Sequence, residues 1–148
     1  MKYLAHIMAG LALIGVGDAS YLTAHHYLGA PLRCGVGFDC TAVTSSAYAT
    51  WFGVPVALLG IIFYVAVLIL SLVAIEGKES KIGKRALGYA CLIAPAGIIA
   101  SLWFVGVQAF ILKAWCQWCL LSAATSTALF FCSFVYYRRF KTFFLVQQ

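Results

Sequence analysis

The sequence predicts an all-α integral membrane protein, folded as a bundle of four transmembrane helices. Of its 148 residues, 64% are hydrophobic and only 9% are charged. The mean hydropathy of +0.99 is far above that of a soluble domain. Four apolar runs, each long enough to cross a bilayer, are separated by short polar stretches. We therefore expect one membrane domain over residues 1–148.

The first apolar run covers residues 3–27 and is interrupted once, by Asp18. Because the run is longer than the apolar core of a signal peptide, we expect a retained helix. An ionisable group within a span is costly and normally faces the bundle interior or a polar cavity. Asp18, Leu22 and His25 share one helical face, with Tyr21 beside them. This face is either a hydrogen-bonded packing stripe or a surface that handles protons or contacts a ligand.

An outer loop is predicted over residues 29–50. Cys34 and Cys40, called the loop pair below, stand six positions apart with two glycines between them. Those glycines allow the backbone to bring the two thiols together or to separate them. The stretch that follows is rich in Ser, Thr and Tyr, which predicts a short amphipathic helix at the membrane interface. Ser46 lies in that stretch, where it could cap a helix or form a local hydrogen bond with the backbone.

The other three spans are predicted at residues 54–75, 86–112 and 114–137. A polar connector at residues 76–85 joins the second span to the third. Proline is tolerated in the first turn of a helix, so Pro55 is compatible with the start of the second span.

The fourth span opens with Trp115-Cys116-Gln117-Trp118-Cys119. Cys116 and Cys119, called the helix pair below, are three positions apart and so lie on one helical face. A helix N-terminus favours the thiolate, and such a pair can cycle between dithiol and disulfide. A position at the membrane edge suits a redox centre that meets a soluble protein and a lipid-soluble molecule. A static disulfide or part of a zinc site stays an alternative.

The basic residues predict the orientation of the chain. Both termini and the connector fall on one side of a four-span topology, together with Lys2, Lys78, Lys81, Lys84, Arg85, Arg138, Arg139 and Lys141. Only Arg33 and Lys113 fall on the other side. The positive-inside rule therefore places both termini in the cytoplasm, and the net charge of +6 indicates orientation rather than nucleic-acid binding. The loop pair and the helix pair then share the outer face, where disulfides persist.

Four cysteines at one membrane surface are consistent with a zinc site of four thiolates or with a dithiol relay. The gap between the loop cysteines is longer than the gap usual for zinc ligands, and the glycines favour mobility. A relay needs two pairs within exchange distance, one of them mobile and one next to an electron acceptor. These features favour the relay, with no metal. Cys91 and Cys132 lie inside spans and are expected to be packed thiols.

The same residues resemble the vitamin K epoxide reductase family, and its bacterial members most closely. The resemblance extends over nearly the whole chain. It rests on Cys34 and Cys40, Val43, Ser45-Ser46, Tyr48, Gly53-Val54-Pro55 and the late Trp-Cys-x-x-Cys.

The resemblance implies a four-helix bundle around a quinone pocket. Cys116 and Cys119 would be the active pair, with Cys119 nearer the quinone, and the loop pair would carry electrons to them. Ser46 would lie close to the active pair. The residues that we expect to contact the quinone are Cys119, Ser46, Trp115 and Asp18.

The predicted function is that of a membrane thiol oxidase in the bacterial inner membrane. Electrons would pass from a thioredoxin-fold, DsbA-like protein through the two pairs to ubiquinone or menaquinone. Many bacterial members carry a fused thioredoxin-like domain, whereas this chain stops at Gln148; we therefore expect a separate periplasmic partner. The alternatives are reduction of vitamin K quinone or its epoxide, and a zinc-stabilised scaffold without enzymatic activity. Vertebrate members have a tyrosine where this chain has Ala123, which weakens the case for epoxide reduction.

Overall fold

The structure is a computed structural model that describes residues 2–29, 31–77 and 80–146, with side chains described up to residue 139. Three of the basic residues that predict orientation are affected by these limits. Lys78 lies outside the described residues, and so do the side chains of Lys2 and Lys141.

Four long helices form the body of the protein. In chain order, the helices are α1 (Lys2–Leu28), the short α2 (Cys40–Thr44), α3 (Val56–Glu76), α4 (Lys81–Gly106) and α5 (Gln117–Val146). A π-helical segment, Val107–Leu112, continues α4. The stretches long and apolar enough to cross a membrane are Tyr3–Leu28, Val56–Glu76, Lys81–Leu112 and Gln117–Arg139. The prediction of an all-α membrane bundle with four spans is confirmed.

The bundle core is built mainly from small and aliphatic side chains. Helix α1 packs chiefly against α3, and α4 packs against both α3 and α5. Ala12, Ala90 and Ala94 are fully buried between the helices, which lets the backbones approach closely. Gly15 faces the ring of Tyr64 so closely that a Cβ at this position would overlap the ring. Large apolar side chains point outward, as expected for a surface that meets lipid; they include Ile62, Leu92, Ile99, Leu102 and Phe131.

The segment before α3 contains more structure than the sequence predicts. Its short helix ends at Thr44, and a 3-10 turn, Ala47–Ala49, leads into a two-stranded hairpin of β1 (Thr50–Trp51) and β2 (Val54–Pro55). The hairpin turn has positive φ at both central residues, Phe52 and Gly53, as in the turns that match strand twist. The second span therefore begins at Val56, two residues later than predicted.

Helices α4 and α5 also begin at residues other than those predicted. The Ser80 hydroxyl accepts a hydrogen bond from Gly83 N–H at 3.1 Å, so it caps α4 and lets the helix start at Lys81 within the basic connector. The π-helical segment is followed by Lys113 in the left-handed conformation, with φ of 50°. This residue ends the third span and delays the start of α5 to Gln117.

Candidate redox site

Cys116 lies at the point where α5 begins. Its side chain is fully buried, and its carbonyl accepts a hydrogen bond from Leu120 N–H at 3.0 Å. Its Sγ accepts a hydrogen bond from the backbone N–H of Cys119 at 3.3 Å. This is the arrangement of a helix N-cap residue, with sulfur in place of the usual oxygen. The unpaired donors and the dipole at this end of the helix favour a negative charge on that sulfur.

The two thiols of the helix pair interact directly. Both are free thiols in the structure. A hydrogen bond with the Cys119 thiol lowers the pKa of the Cys116 thiol below its ordinary value. Burial acts in the opposite direction, while the backbone N–H groups of Cys119 and Trp118 add to the lowering. The Cys116 sulfur, which lies just before the fourth span, is therefore stabilised as a thiolate.

The loop pair forms a disulfide beside the helix pair. Cys34 and Cys40 are bonded to each other, with their Cα atoms 6.3 Å apart. All four cysteines belong to one apolar cluster that also contains Val43. Within this cluster Cys40 is 1% exposed, whereas Cys34 is only partly buried. The structure thus brings together the two pairs that the sequence places on the same face.

Three hydrogen bonds hold the loop against the start of α5. The Gln117 side-chain oxygen accepts from Gly35 N–H at 2.9 Å, and the Trp118 indole N–H donates to the Arg33 carbonyl at 3.1 Å. The Trp115 carbonyl accepts from Asp39 N–H at 3.0 Å. The three bonds involve the residues beside and between the helix-pair cysteines. These residues therefore set the position of the loop disulfide, a role that the sequence analysis did not assign to Gln117 or Trp118.

Gln108, which the sequence analysis also missed, supports the helix pair from the third span. It is fully buried in the π-helical segment. Its side-chain oxygen accepts from Cys116 N–H at 2.8 Å, and its side-chain nitrogen donates to the Phe104 carbonyl at 3.4 Å. A polar residue in an apolar run, eight positions before the first cysteine, is the sequence signal that could have indicated it.

Asp18 is buried in the bundle on the side that faces the helix pair. It is 5% exposed, and neither carboxyl oxygen has a hydrogen-bond partner among the described residues. The carboxyl group interacts electrostatically with both Cys116 and Cys119. The Ser122 side chain lies close to it, but the Ser122 hydroxyl is hydrogen-bonded to the Tyr64 hydroxyl at 2.9 Å. Burying an ionised carboxyl group without hydrogen-bond partners costs free energy. The Asp18 carboxyl group therefore needs either a bound proton or a hydrogen-bond donor from a ligand.

The C-terminal end of α1 contacts the same part of α5. The Tyr21 ring packs against the Trp118 ring with centroids 4.8 Å apart, and against the His25 ring at 4.4 Å. Leu22 is buried in the cluster that contains the four cysteines. The predicted polar stripe on α1 therefore adjoins the cysteine cluster at the C-terminal end of the helix.

Ser46 and Trp115 have contacts that are mainly local. The Ser46 hydroxyl donates to the Val43 carbonyl at 2.7 Å, which links this residue to the cysteine cluster through Val43. The Trp115 side chain is 40% exposed, and its described hydrogen bond is made by its carbonyl with Asp39. Contact of either side chain with a quinone stays a prediction.

The two remaining cysteines lie away from this cluster. Cys91 and Cys132 pack against the main core of the bundle, and their thiols interact with each other. Within residues 2–29, 31–77 and 80–146, no group of three or more His, Cys, Asp and Glu side chains is arranged to hold a metal ion.

Most of the chain matches a known protein family. Residues 6–134 match the model of a family described as the vitamin K epoxide reductase family. No curated protein sequence matches the chain.

Proposed function

Because this chain belongs to the vitamin K epoxide reductase family, we propose that it is a thiol oxidase that transfers electrons from a soluble dithiol protein to a membrane quinone. The protein is a multi-pass membrane protein with redox cysteines. The observation that carries the proposal is the packing of the loop disulfide and the helix-pair thiols in one cluster. Two pairs that share one packed cluster need only a short movement to exchange disulfides.

The burial of the two loop cysteines suggests the order of the exchange. Cys34 is the more accessible sulfur, so a thiolate of the reduced partner attacks Cys34 and releases the thiolate of Cys40. Cys40, which is buried in the cluster with Cys116, then attacks Cys116 in an oxidised helix pair and releases the thiolate of Cys119.

Two further exchanges return the loop pair to the disulfide. The second thiol of the partner attacks its mixed disulfide with Cys34, so the partner leaves oxidised and Cys34 leaves as a thiolate. Cys34 then attacks Cys40, which releases Cys116. The net result is an oxidised partner, a loop disulfide and a reduced helix pair. This is the combination of one disulfide and one dithiol that the structure contains.

The helix pair must then lose two electrons and two protons to become a disulfide again. A bound quinone supplies an acceptor for both. The residues near the pair fit such a group, because the Asp18 carboxyl group is buried on that side and both of its oxygens lack partners among the described residues. We propose that Asp18 holds a proton at this position and that Ser46 and Trp115 line the approach of the quinone. Cys119, in the first turn of α5, is the sulfur nearer to the acceptor.

The direction of electron flow follows from the partner that we propose. A DsbA-like protein is a strong oxidant, with a potential of about −120 mV, so its reoxidation needs an acceptor stronger than glutathione. A membrane quinone, ubiquinone or menaquinone, meets this requirement. A four-thiolate zinc site is less well supported, because two of the four sulfurs are bonded to each other.

The basic residues at one end of the bundle support an orientation of the protein in a bacterial inner membrane. Lys81, Lys84 and Arg85 lie at the start of α4, and Arg138 and Arg139 lie late in α5. We propose that this end faces the cytoplasm and that the cysteine cluster faces the periplasm.

The proposal is tested by anaerobic mixing of the purified protein with a reduced DsbA-like protein and with ubiquinone or menaquinone analogues. We expect the quinone to be reduced in proportion to the partner that is oxidised, as followed by quinone absorbance. The proposal is wrong if quinone is not reduced although the partner exchanges disulfides with the protein.

A further inference from the structure

The amide side chain of Gln108 is placed where it can control the backbone of the reactive cysteine. It lies in the third span, is fully buried and uses both ends of its amide group. The oxygen accepts from Cys116 N–H at 2.8 Å, and the nitrogen is oriented by the Phe104 carbonyl at 3.4 Å. A buried glutamine held at both ends has one orientation, so its oxygen is fixed relative to Cys116.

The backbone around Cys116 needs an external support of this kind. The residue precedes the first residue of α5, so its N–H is not paired within that helix. Its side chain is fully buried. Gln108 is the hydrogen-bond acceptor that the structure describes for this N–H. Without it a buried donor would be left unpaired, which costs free energy.

The position of Cys116 also decides the geometry of its sulfur. The Sγ accepts the Cys119 N–H at 3.3 Å, and this bond forms only while Cys116 stays at the cap position of α5. It stabilises the reduced, negatively charged sulfur. Stabilisation of the reduced form is what makes a cysteine pair a stronger oxidant.

We propose that Gln108 is a positioning residue that holds the Cys116 backbone in place and thereby sets the redox potential of the helix pair. The inference rests on the proposed function in taking this pair as redox-active. It adds Gln108, a residue of the third span that contacts the helix pair through the Cys116 backbone N–H. Gln108 contacts the Cys116 N–H rather than its sulfur, so it is not a catalytic residue.

The test is the equilibrium of the helix pair with defined ratios of reduced and oxidised glutathione, in the full chain in detergent. Mass spectrometry of the Cys116–Cys119 peptide gives the fraction oxidised. We expect Gln108→Leu to shift the equilibrium constant about tenfold toward the disulfide, which corresponds to a potential about 30 mV more negative. Gln108→Asn retains an amide but is one methylene too short for both bonds, so it should shift the constant in the same direction.

Two variants serve as controls. Gln108→Glu in its neutral form can accept from Cys116 and donate to Phe104, so it should keep the equilibrium within about twofold of the original. Ser101→Ala removes a different side-chain hydrogen bond of the third span, between the Ser101 and Ser126 hydroxyls at 2.6 Å; it should leave the potential of the helix pair unchanged. Thermal melts measured alongside report any loss of stability.

The proposal is overturned if Gln108→Leu and Gln108→Asn lower the melting temperature but leave the equilibrium constant of the helix pair within twofold of the original. Gln108 would then be a structural residue. It is also overturned if Gln108→Glu shifts the potential as much as Gln108→Leu. If Gln108→Leu does not fold, Gln108→Asn and Gln108→Glu still separate the two interpretations, because only Gln108→Asn should shift the equilibrium constant. Failure of the proposed function is distinguishable, because it appears as absent quinone reduction in the assay described above, whereas this test measures the redox equilibrium of the helix pair.

Discussion

The two cysteine pairs are close together but are held by different kinds of structure. The loop pair is part of a surface segment fixed to α5 by three hydrogen bonds, and its neighbours Val36 and Phe38 are exposed. The helix pair lies at the start of the long helix α5, and the Gln108 side chain accepts a hydrogen bond from the Cys116 N–H. A few hydrogen bonds can break without disturbing the bundle, whereas the helix pair cannot move without α5.

This difference suggests a division of tasks. We propose that the loop pair leaves its position to meet a large soluble protein and returns to the same place. The helix pair keeps a fixed relation to Asp18 and to the membrane interior. The predictions below test whether the two pairs differ in this way.

The largest effect is expected for the helix pair. Cys116→Ala or Cys119→Ala should lower turnover at least about a thousandfold with every dithiol substrate, because the electrons have no other route to the quinone. The measurement is steady-state quinone reduction. Cys91→Ala and Cys132→Ala are the controls and should retain most of the activity, since these thiols pack in the main core. Substantial turnover in Cys119→Ala would contradict the assignment.

A selective effect is expected for the loop pair. Cys34→Ala or Cys40→Ala should lower oxidation of the protein partner about a hundredfold, because the partner depends on the relay for proximity to the helix pair. A small dithiol that reaches the helix pair directly should be oxidised at a rate within about twofold of the original. The two substrates are compared in the same quinone assay. An equal loss with both would mean that the loop pair is structural or that small dithiols also need it.

Asp18 should affect only the step that follows disulfide exchange. Asp18→Asn cannot hold an exchangeable acidic proton, so reduction of quinone by the pre-reduced protein should slow about tenfold or more, with an altered pH profile. Exchange between the two pairs should not change. Single-turnover measurements across pH, taken with thermal melts, separate these effects. An unchanged pH profile with a lower melting temperature would make Asp18 a structural residue.

The smallest effect is expected for the bonds that hold the loop. One such bond contributes about 0.5–1.5 kcal/mol, so Gln117→Leu should slow transfer between the two pairs by about two- to tenfold. Gln117→Glu retains a side-chain oxygen for Gly35 N–H and should be closer to the original. The measurement is the rate at which a reduced partner reduces the helix pair in the absence of quinone. A faster transfer in Gln117→Leu would mean that the bond restrains the loop rather than positions it.

The sequence predicts the helices and the cysteine cluster well because both depend on local signals. Apolar runs define the spans, and the alternation of the spans brings Cys34 and Cys40 to the same end as Cys116 and Cys119. The supporting contacts were not predictable in this way. Gln108 pairs with a backbone N–H, and that pairing depends on a π-helical segment and a left-handed Lys113 that no residue preference signals.

The hairpin before α3 escaped prediction for a related reason. Its turn requires positive φ at Phe52 as well as at Gly53, and phenylalanine is not a residue that favours this conformation. The roles of Gln117 and Trp118 depend on where the loop lies in space. In both cases the deciding contacts are set by tertiary structure rather than by the local sequence.

The most direct test of the relay is the disulfide that should form between the two pairs. With Cys91 and Cys132 replaced by alanine, Cys34→Ser combined with Cys119→Ser leaves only Cys40 and Cys116. Cys40→Ser combined with Cys119→Ser leaves Cys34 and Cys116. Mild oxidation followed by mass spectrometry of the full chain measures the cross-link in each. We expect rapid formation of the Cys40–Cys116 disulfide and little of the other; absence of the Cys40–Cys116 bond, or faster formation of Cys34–Cys116, would contradict the account.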